Sequence, residues 1–155
     1  MPADVYLAGS LFTASERTWN SWLAGELRRR GLQVCLPQEQ VSAAVAPGNV
    51  DYERIFRLCL EGLEDSKTVL ALLEGAEVDS GTAFECGYAF KLGRPILGVR
   101  TDLRTQNEDA GLNTMLRRAC SALVIIPAHR PAEEIVTGIM QELRSISITL
   151  ASKRV

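Results

Sequence analysis

Residues 67–99, KTVLALLEGAEVDSGTAFECGYAFKLGRPILGV, contain two short apolar runs separated by a turn and a segment of helical period. The first run is apolar on both faces, which predicts a strand in the centre of a sheet. Gly93 and Pro95 end the intervening segment as they would end a helix. The stretch therefore predicts one βαβ unit, made of strand Lys67–Leu73, turn Glu74–Gly81, helix Thr82–Leu92 and strand Pro95–Val99.

The same alternation of apolar runs and helical periods continues on both sides of this unit. It predicts three more strands, at Val5–Ala8, Gln33–Leu36 and Ala122–Ile126, and four more helices, over Thr13–Arg30, from an Asp51 cap to Leu63, at Met115–Leu116 and over Ala132–Ser145. Right-handed crossovers then give a doubly wound α/β fold, flavodoxin-like or Rossmann-like, with a five-stranded parallel sheet in the order 2-1-3-4-5. A chain of 155 residues with 46% apolar residues fits a single domain over residues 1–155.

Two segments lack a clear period. Residues 37–50, PQEQVSAAVAPGNV, contain two prolines and one glycine. We expect a long connection there, of the kind that forms lids or stays disordered. The tail from Ile146, ISITLASKRV, is compatible with either an extra edge strand or a disordered end.

The composition disfavours several function classes. The net charge is −2 without a basic face, so a nucleic-acid partner is not expected. The start of the sequence lacks a signal-peptide pattern, and no apolar run reaches about 18 residues, so we expect a cytoplasmic protein without a membrane segment. The four cysteines are widely spaced without a CxxC pair, which predicts free, mostly buried thiols and no metal site.

In doubly wound sheets, ligands bind beyond the carboxyl ends of the strands. This rule places the site at Gly9–Phe12, Glu74–Glu85 and Arg100–Asn113, and the second of these segments is dense in carboxylates. Glu85 falls near the start of its helix on an otherwise apolar face, where the helix dipole favours the ionised form that a nucleophile needs. Asp79 precedes the helix and can orient a ligand. Spacing alone favours more ordinary roles, an N-cap for Asp79 and a charge paired with the helix dipole for Glu85.

A second cluster lies at the first strand-to-helix turn, where Tyr6 precedes Gly9, Ser10 and Phe12. Gly9 lets a ligand approach the backbone, Ser10 can form a hydrogen bond, and Phe12 offers a flat face to a base. An ordinary turn with Phe12 in the core explains the same residues equally well. The sequence has neither a GxGxxG fingerprint nor a GxxxxGK[ST] loop, so NAD and ATP are not expected as cofactors.

The segment DSGTAFECGYAFKLGRP resembles the one that bears the nucleophilic glutamate of nucleoside 2-deoxyribosyltransferases. The family's DxGTAxExGxA pattern is matched by Asp79, Gly81, Thr82, Ala83, Glu85, Gly87 and Ala89. The opening VYLAGSLF is similar to the family's first strand, whose tyrosine and aromatic residue face the substrate, and Tyr6 and Phe12 would take these places. Asn113-Thr114-Met115 is similar to an Asn-x-Met element that reaches into a neighbouring subunit's site. RTDLR, at 100–104, is similar to a loop in one branch of the family.

The resemblance implies that Glu85 attacks the anomeric carbon of a 2'-deoxynucleoside, expels the base and holds the sugar covalently until a second nucleobase takes it. The two steps each invert the configuration of the anomeric carbon, so the configuration is retained overall. Tyr6 would hold the Glu85 carboxylate, and Asp79, or else Glu74, would protonate the departing base. The implied substrate-binding residues are Gly9, Ser10, Phe12, Glu74, Gly81, Asn113 and Met115.

The resemblance also bears on cofactors and partners. No metal and no organic cofactor is implied, and the partners are a deoxynucleoside and a free nucleobase. Because Asn113 would complete a neighbouring site, a homo-oligomer is implied, either a dimer or a hexamer built from dimers.

One departure from the family concerns the end of the third strand. Related sequences usually have Leu-Asp-Gly there, whereas this chain has Leu73-Glu74-Gly75. A glutamate reaches one methylene farther than an aspartate. Either Glu74 performs the same role with a shifted geometry, or Asp79 takes more of that role.

Two other functions fit the same sequence. If water opens the intermediate, the enzyme is an N-glycosidase of deoxynucleosides or their 5'-monophosphates. The bulky Leu11 and Phe12 disfavour a phosphate site, whereas Ser10, Ser15 and Arg17 allow one. A non-catalytic nucleotide sensor also fits, because a fold does not fix a function. Glu85 distinguishes the sensor, since binding alone needs no nucleophile.

Overall fold

The computed structural model describes residues 2–46, 48–104 and 111–152. The strands of its main sheet are β1 (Ala3–Ala8), β2 (Val34–Cys35), β5 (Ser66–Leu72), β6 (Ile96–Arg100) and β7 (Ala122–Ile125), and a separate hairpin contains β3 (Val45–Ala46) and β4 (Asn49–Val50). The helices are α1 (Ala14–Arg29), α2 (Pro37–Gln40), α3 (Tyr52–Glu64), α4 (Ser80–Lys91), α5 (Thr114–Ala119) and α6 (Ala132–Ser152), with a 3₁₀ turn at Val41–Ala44.

The strands of the main sheet are all parallel and lie in the order β2-β1-β5-β6-β7. Counted within that sheet, this order is 2-1-3-4-5, so the predicted fold class and strand order are confirmed. The register pairs Tyr6 with Val69 and Ala8 with Ala71. The carboxyl ends of β1 and β5 therefore meet at one edge, which brings the turns that follow these two strands side by side.

Alternate residues of the central strands face two separate cores. On one face, Val5 of β1 packs in a cluster with Leu23 of α1 and Ile139 of α6. On the other face, Tyr6 of β1 belongs to a cluster with Ala89 of α4 and with residues of α3 and α5. Helices thus cover both faces of the sheet, which is the arrangement that a parallel sheet requires.

Side-chain caps fix the starts of α1, α3 and α4. Thr13 and Glu16 form a capping box before α1, and Asp51 caps α3 as predicted. Asp79 caps α4, which begins at Ser80 and therefore slightly earlier than predicted. Each cap satisfies a backbone N–H group that has no partner within its own helix.

The expectation of a connection without regular structure over residues 37–50 is wrong. Pro37 begins α2, because its ring suits the first turn of a helix. The 3₁₀ turn follows, and β3 then pairs with β4 in an antiparallel hairpin. Gly48 has a φ of 75°, the left-handed conformation that a tight hairpin turn needs. These elements are too short to give a periodic signal in the sequence.

Residues 146–152 continue α6, so neither an edge strand nor a disordered end is found there. Ile146 is buried in the same core as Ile139 and Leu143. The three residues are spaced as one face of a helix requires, and this spacing was the available signal in the sequence. Even with this extension, no helix in the described part of the chain is long and apolar enough to cross a membrane.

The cysteines are free thiols, as predicted. Cys35 and Cys86 are buried, whereas Cys59 and Cys120 are partly exposed. Burial raises the pKa of Cys35 to about 11 and that of Cys86 to about 12, so both thiols stay protonated at neutral pH.

Candidate active site

The carboxyl ends of β1 and β5 border a cleft of about 250 Å³. Ser10 lines it from the turn after β1, and Glu74 and Asp79 line it from the turn after β5. The structure therefore brings these three predicted residues to one edge of the sheet. A larger cavity of about 380 Å³ lies at the opposite edge, between Asp4 and Arg94, and its lining includes none of the predicted site residues.

Tyr6 and Glu85 are joined by a direct hydrogen bond. The Tyr6 hydroxyl donates to Glu85 Oε1 at 2.6 Å. Tyr6 is fully buried, and burial raises its pKa, so the hydroxyl stays protonated and remains a donor. Gly62 of α3 makes room for the ring, since a Cβ at that position would come within 2.9 Å of it. The contact that the resemblance implied between Tyr6 and Glu85 is therefore present.

The surroundings of Glu85 raise the pKa of its carboxyl group toward neutral pH. Burial raises the pKa of Glu85 to about 7, an effect that the Tyr6 hydrogen bond opposes and the charge of Asp79 reinforces. Because α4 begins at Ser80, Glu85 lies in the second helical turn, beyond the free N–H groups of the helix end. The expectation that the helix start would favour the ionised form of Glu85 is therefore wrong. Once ionised, a poorly hydrated carboxylate is well suited to attack carbon.

Asp79 performs the ordinary role that the sequence allowed. Its Oδ2 accepts a hydrogen bond from the Thr82 backbone N–H at 2.9 Å and another from the Thr82 hydroxyl at 3.2 Å. Gly81 leaves space for this carboxylate, because a Cβ at Gly81 would lie 3.1 Å from Asp79 Oδ2. The predicted N-cap is thus confirmed, while Asp79 also lines the cleft.

Glu74 reaches across the edge of the sheet to the end of β6. Both of its carboxylate oxygens accept the Thr101 backbone N–H, at 2.8 and 3.1 Å. Burial raises the pKa of Glu74, although the Thr101 hydrogen bonds and the positive charge of Arg100 oppose this effect. Gly75 follows with a φ of 93°, a conformation that favours glycine. Glu74 is thus a fixed carboxyl group that has a greater tendency to hold a proton than an exposed glutamate.

The first strand-to-helix turn is closely packed. A Cβ at Gly9 would come within 3.1 Å of the Leu72 side chain, and the Ser10 carbonyl accepts a hydrogen bond from Asn20 Nδ2 at 2.9 Å. Phe12 is 77% exposed, so the alternative that places it in the core is wrong. An exposed ring beside this turn is free to contact a ligand.

Asn113 and Met115 line a different cleft. This neighbouring cleft has a volume of about 320 Å³ and is also lined by Glu77 and Arg100. Asn113 caps α5, and its Oδ1 accepts the Met115 backbone N–H at 2.9 Å. Met115 is 79% exposed. Within one chain, these two predicted residues therefore do not line the cleft that holds Glu74 and Asp79.

Sequence analysis missed the contribution of α1 to the cleft. Glu16, Trp19 and Asn20 line it alongside Ser10. Asn20 is only 3% exposed, and its amide also donates to the Gln38 side chain at 3.3 Å. A polar residue beside the apolar stripe of α1 was the available signal, because a buried amide needs hydrogen-bond partners.

Tyr6 and Glu85 are not among the residues that line the cleft. A part-buried carboxylate bonded to a tyrosine, with further carboxyl groups at the carboxyl ends of the strands, is compatible with an enzyme that acts on glycosidic bonds. The model of the nucleoside 2-deoxyribosyltransferase family matches residues 5–116 of the chain. The chain belongs to this family, and it is accordingly an enzyme of the pentosyltransferase class.

Solved structures of other proteins resemble this fold. A conserved protein from Enterococcus faecalis V583 superposes with a TM-score of 0.72 at 25% identity, over 92% of this chain and 99% of that one. A 2-deoxyribosyltransferase from Bacillus psychrosaccharolyticus gives 0.64 at 24% identity, over 77% and 83%. A CMP N-glycosidase from Clostridium botulinum gives 0.57 at 17% identity, over 92% and 98%. No curated protein sequence matches the chain significantly.

Proposed function

We propose that this protein transfers 2-deoxyribose from a 2'-deoxynucleoside to a free nucleobase through a covalent intermediate on Glu85. The observation that carries this proposal is the pair of Tyr6 and Glu85, joined at 2.6 Å in a part-buried position. Membership of the deoxyribosyltransferase family supports the substrate class. The Tyr6 hydroxyl donates a hydrogen bond to Glu85 Oε1. In this proposal, the bond leaves the second oxygen, Oε2, available for attack.

In the first step, Glu85 Oε2 forms a bond to the anomeric carbon while the bond from that carbon to the base nitrogen breaks. The electron pair of the broken bond goes to the base, which takes a proton from a neighbouring acid. In the second step, the incoming base attacks the anomeric carbon from the opposite face and releases the Glu85 carboxylate. The acid regains its proton from the incoming base. Two inversions give net retention at the sugar.

The acid is Glu74 or Asp79. Burial raises the pKa of Glu74, so this residue holds a proton more readily than an exposed glutamate does. The Asp79 carboxylate is engaged in capping α4 through Thr82. These two observations support Glu74 as the proton donor, with Asp79 orienting the substrate.

The charge of the cleft favours nucleosides over their monophosphates. Of the nine residues that line it, four are acidic, namely Glu16, Glu74, Glu77 and Asp79, and none of these described lining residues is lysine or arginine. A phosphate group would be repelled by those of the four carboxyl groups that are ionised. This observation supports transfer between neutral nucleosides over hydrolysis of deoxynucleoside 5'-monophosphates.

We expect purified protein to make a new deoxynucleoside only when an acceptor base is present. The assay uses deoxyinosine or thymidine as donor, adenine or cytosine as acceptor, and chromatographic detection, with deoxynucleoside monophosphates tested in parallel. Equal release of free base with and without acceptor would instead identify an N-glycosidase. Binding without any turnover would identify a nucleotide sensor.

We also propose that the protein is a homo-oligomer in which Asn113 and Met115 complete the site of a neighbouring copy. Exposed aromatic side chains support this proposal, because Phe56 of α3 contacts Phe84 of α4 at a ring distance of 6.1 Å while the two rings remain 48% and 53% exposed. An exposed apolar patch of this kind is typical of interaction surfaces. Phe84 adjoins Glu85 in the chain, so an interface there would lie near the nucleophile.

Replacing Phe84 with serine is expected to shift the protein toward monomer and to lower transfer, since it removes apolar area from the proposed interface. Sedimentation velocity measured together with the transfer assay tests both effects. Ile148→Ser is the matched control, because Ile148 is 70% exposed but lies on α6, which covers the other face of the sheet. A wild-type protein that is monomeric at all assay concentrations while fully active would contradict the proposal.

A further inference from the structure

Arg100 is a fully buried cation at the carboxyl end of β6. Its guanidinium donates hydrogen bonds to two backbone carbonyls of the turn after β5, those of Leu73 and Gly75, the second at 2.9 Å. Burying a guanidinium is unfavourable unless its donors are satisfied. Because the buried guanidinium needs these two carbonyl groups, the position of Arg100 and the shape of the turn depend on each other.

Thr101, the residue after Arg100, contacts the same turn at the Glu74 side chain. The Thr101 backbone N–H donates to both carboxylate oxygens of Glu74, at 2.8 and 3.1 Å. Residues 100 and 101 thus bind the turn twice, once at its backbone and once at the Glu74 carboxylate. Because the two contacts come from adjacent residues, a shift in one moves the other.

The turn has little freedom to adjust. Gly75 has a φ of 93°, and a Cβ there would lie 2.9 Å from the backbone oxygen of Glu77. Leu73, on the other side of Glu74, is fully buried. Both neighbours of Glu74 are therefore fixed, and the hydrogen bonds from Arg100 hold the carbonyl groups of both.

We propose that Arg100 is a positioning residue, which together with the Thr101 backbone forms a clamp that fixes the Glu74 carboxyl group at the cleft. This inference rests on the proposed function, in which Glu74 acts on the nucleobase. Arg100 does not contact the substrate in this scheme. It acts through Glu74, so replacing Arg100 should lower kcat/KM mainly in a protein that contains Glu74.

A double-mutant cycle tests this dependence. In the wild-type background, Arg100→Met is expected to lower kcat/KM for transfer by about tenfold or more, whereas in a Glu74→Gln background the same change lowers it by less than about twofold. Arg100→Lys keeps the charge but lacks the planar fork that reaches two carbonyls, so an intermediate loss is expected. Equal losses in both backgrounds would show a general structural role and overturn the proposal.

A second measurement does not depend on activity. In a ¹H–¹⁵N spectrum, the Thr101 amide resonance is expected to move upfield in Arg100→Lys and further in Arg100→Met, because the hydrogen bond to Glu74 weakens. Arg94→Met is the matched control, since Arg94 donates to the Glu64 carbonyl at 2.7 Å at the opposite edge of the sheet. An unchanged Thr101 resonance in Arg100→Lys overturns the clamp, even if Arg100→Met fails to fold. If the wild-type enzyme shows no transfer, the proposed function fails while this spectrum still tests the clamp.

Discussion

Glu85→Gln is expected to lower transfer activity by at least about 10³-fold, because an amide cannot form the covalent bond to the anomeric carbon. The amide keeps the size of the carboxylate and can still accept the Tyr6 hydrogen bond. Initial rates with saturating donor and acceptor measure the loss. Glu61→Gln is the matched control, since Glu61 is an exposed glutamate on α3. Near-normal turnover in Glu85→Gln would remove Glu85 from the mechanism.

The same variant carries an internal check on its fold. The pKa of Glu85 is raised to about 7, so the carboxyl group favours the folded state fully below its unfolded pKa and loses that contribution as the pH rises through 7. At about pH 8, the free energy of unfolding of Glu85→Gln is therefore expected to exceed that of the wild type by up to about 3 kcal/mol, and the variant should unfold at a higher temperature. Near pH 4 the two proteins should be equally stable. A variant that is inactive yet more stable cannot owe its inactivity to unfolding.

The pH dependence of the reaction is expected to follow the same group. Below pH 7, kcat/KM for a donor nucleoside should fall by about tenfold per pH unit, and at higher pH it should fall again once the acid that protonates the base has lost its proton. Only ionised Glu85 can attack, and its pKa of about 7 makes protonation significant where an exposed glutamate is fully ionised. Initial rates between about pH 5 and pH 9 at constant ionic strength measure the profile. A flat profile down to pH 5 would contradict the role of Glu85.

Tyr6→Phe sharpens this test. The Tyr6 hydrogen bond lowers the pKa of Glu85, so its loss should move the midpoint of the profile to higher pH while the phenyl ring keeps its packing against Gly62. Tyr52→Phe serves as the comparison, because Tyr52 is 77% exposed on α3. A midpoint that is the same in all three proteins would assign the titration to a group other than Glu85.

The strands were predictable because each is a short run rich in apolar residues, and their order followed from right-handed crossovers in a doubly wound sheet. The motif around Glu85 was equally visible, since Asp79 and Glu85 lie close together in one segment. The partner of Glu85 was less accessible. Tyr6 lies 79 residues away in the sequence, and only the resemblance to a family connected the two.

Properties that depend on burial were not predictable. The direction of the Glu85 pKa shift was wrong, because the helix dipole can be inferred from sequence whereas desolvation requires the packed structure. Arg100 was visible only as part of a charged loop, since arginine is almost never fully buried and no local pattern marks the exception. Asn20 was missed for a related reason, because its partner, the Ser10 carbonyl, belongs to another element.

The position of β1 in the middle of the sheet has a consequence for how the enzyme is made. β1 is synthesised before β5, and the pairing of the two strands must wait until α1, β2 and α3 have emerged between them. Closing that long loop is entropically unfavourable and slow. Tyr6 can meet Glu85 only after this closure and the following crossover to α4. The Tyr6–Glu85 contact therefore depends on long-range closure of the chain, and a chain that has formed only its local helices does not yet have this contact.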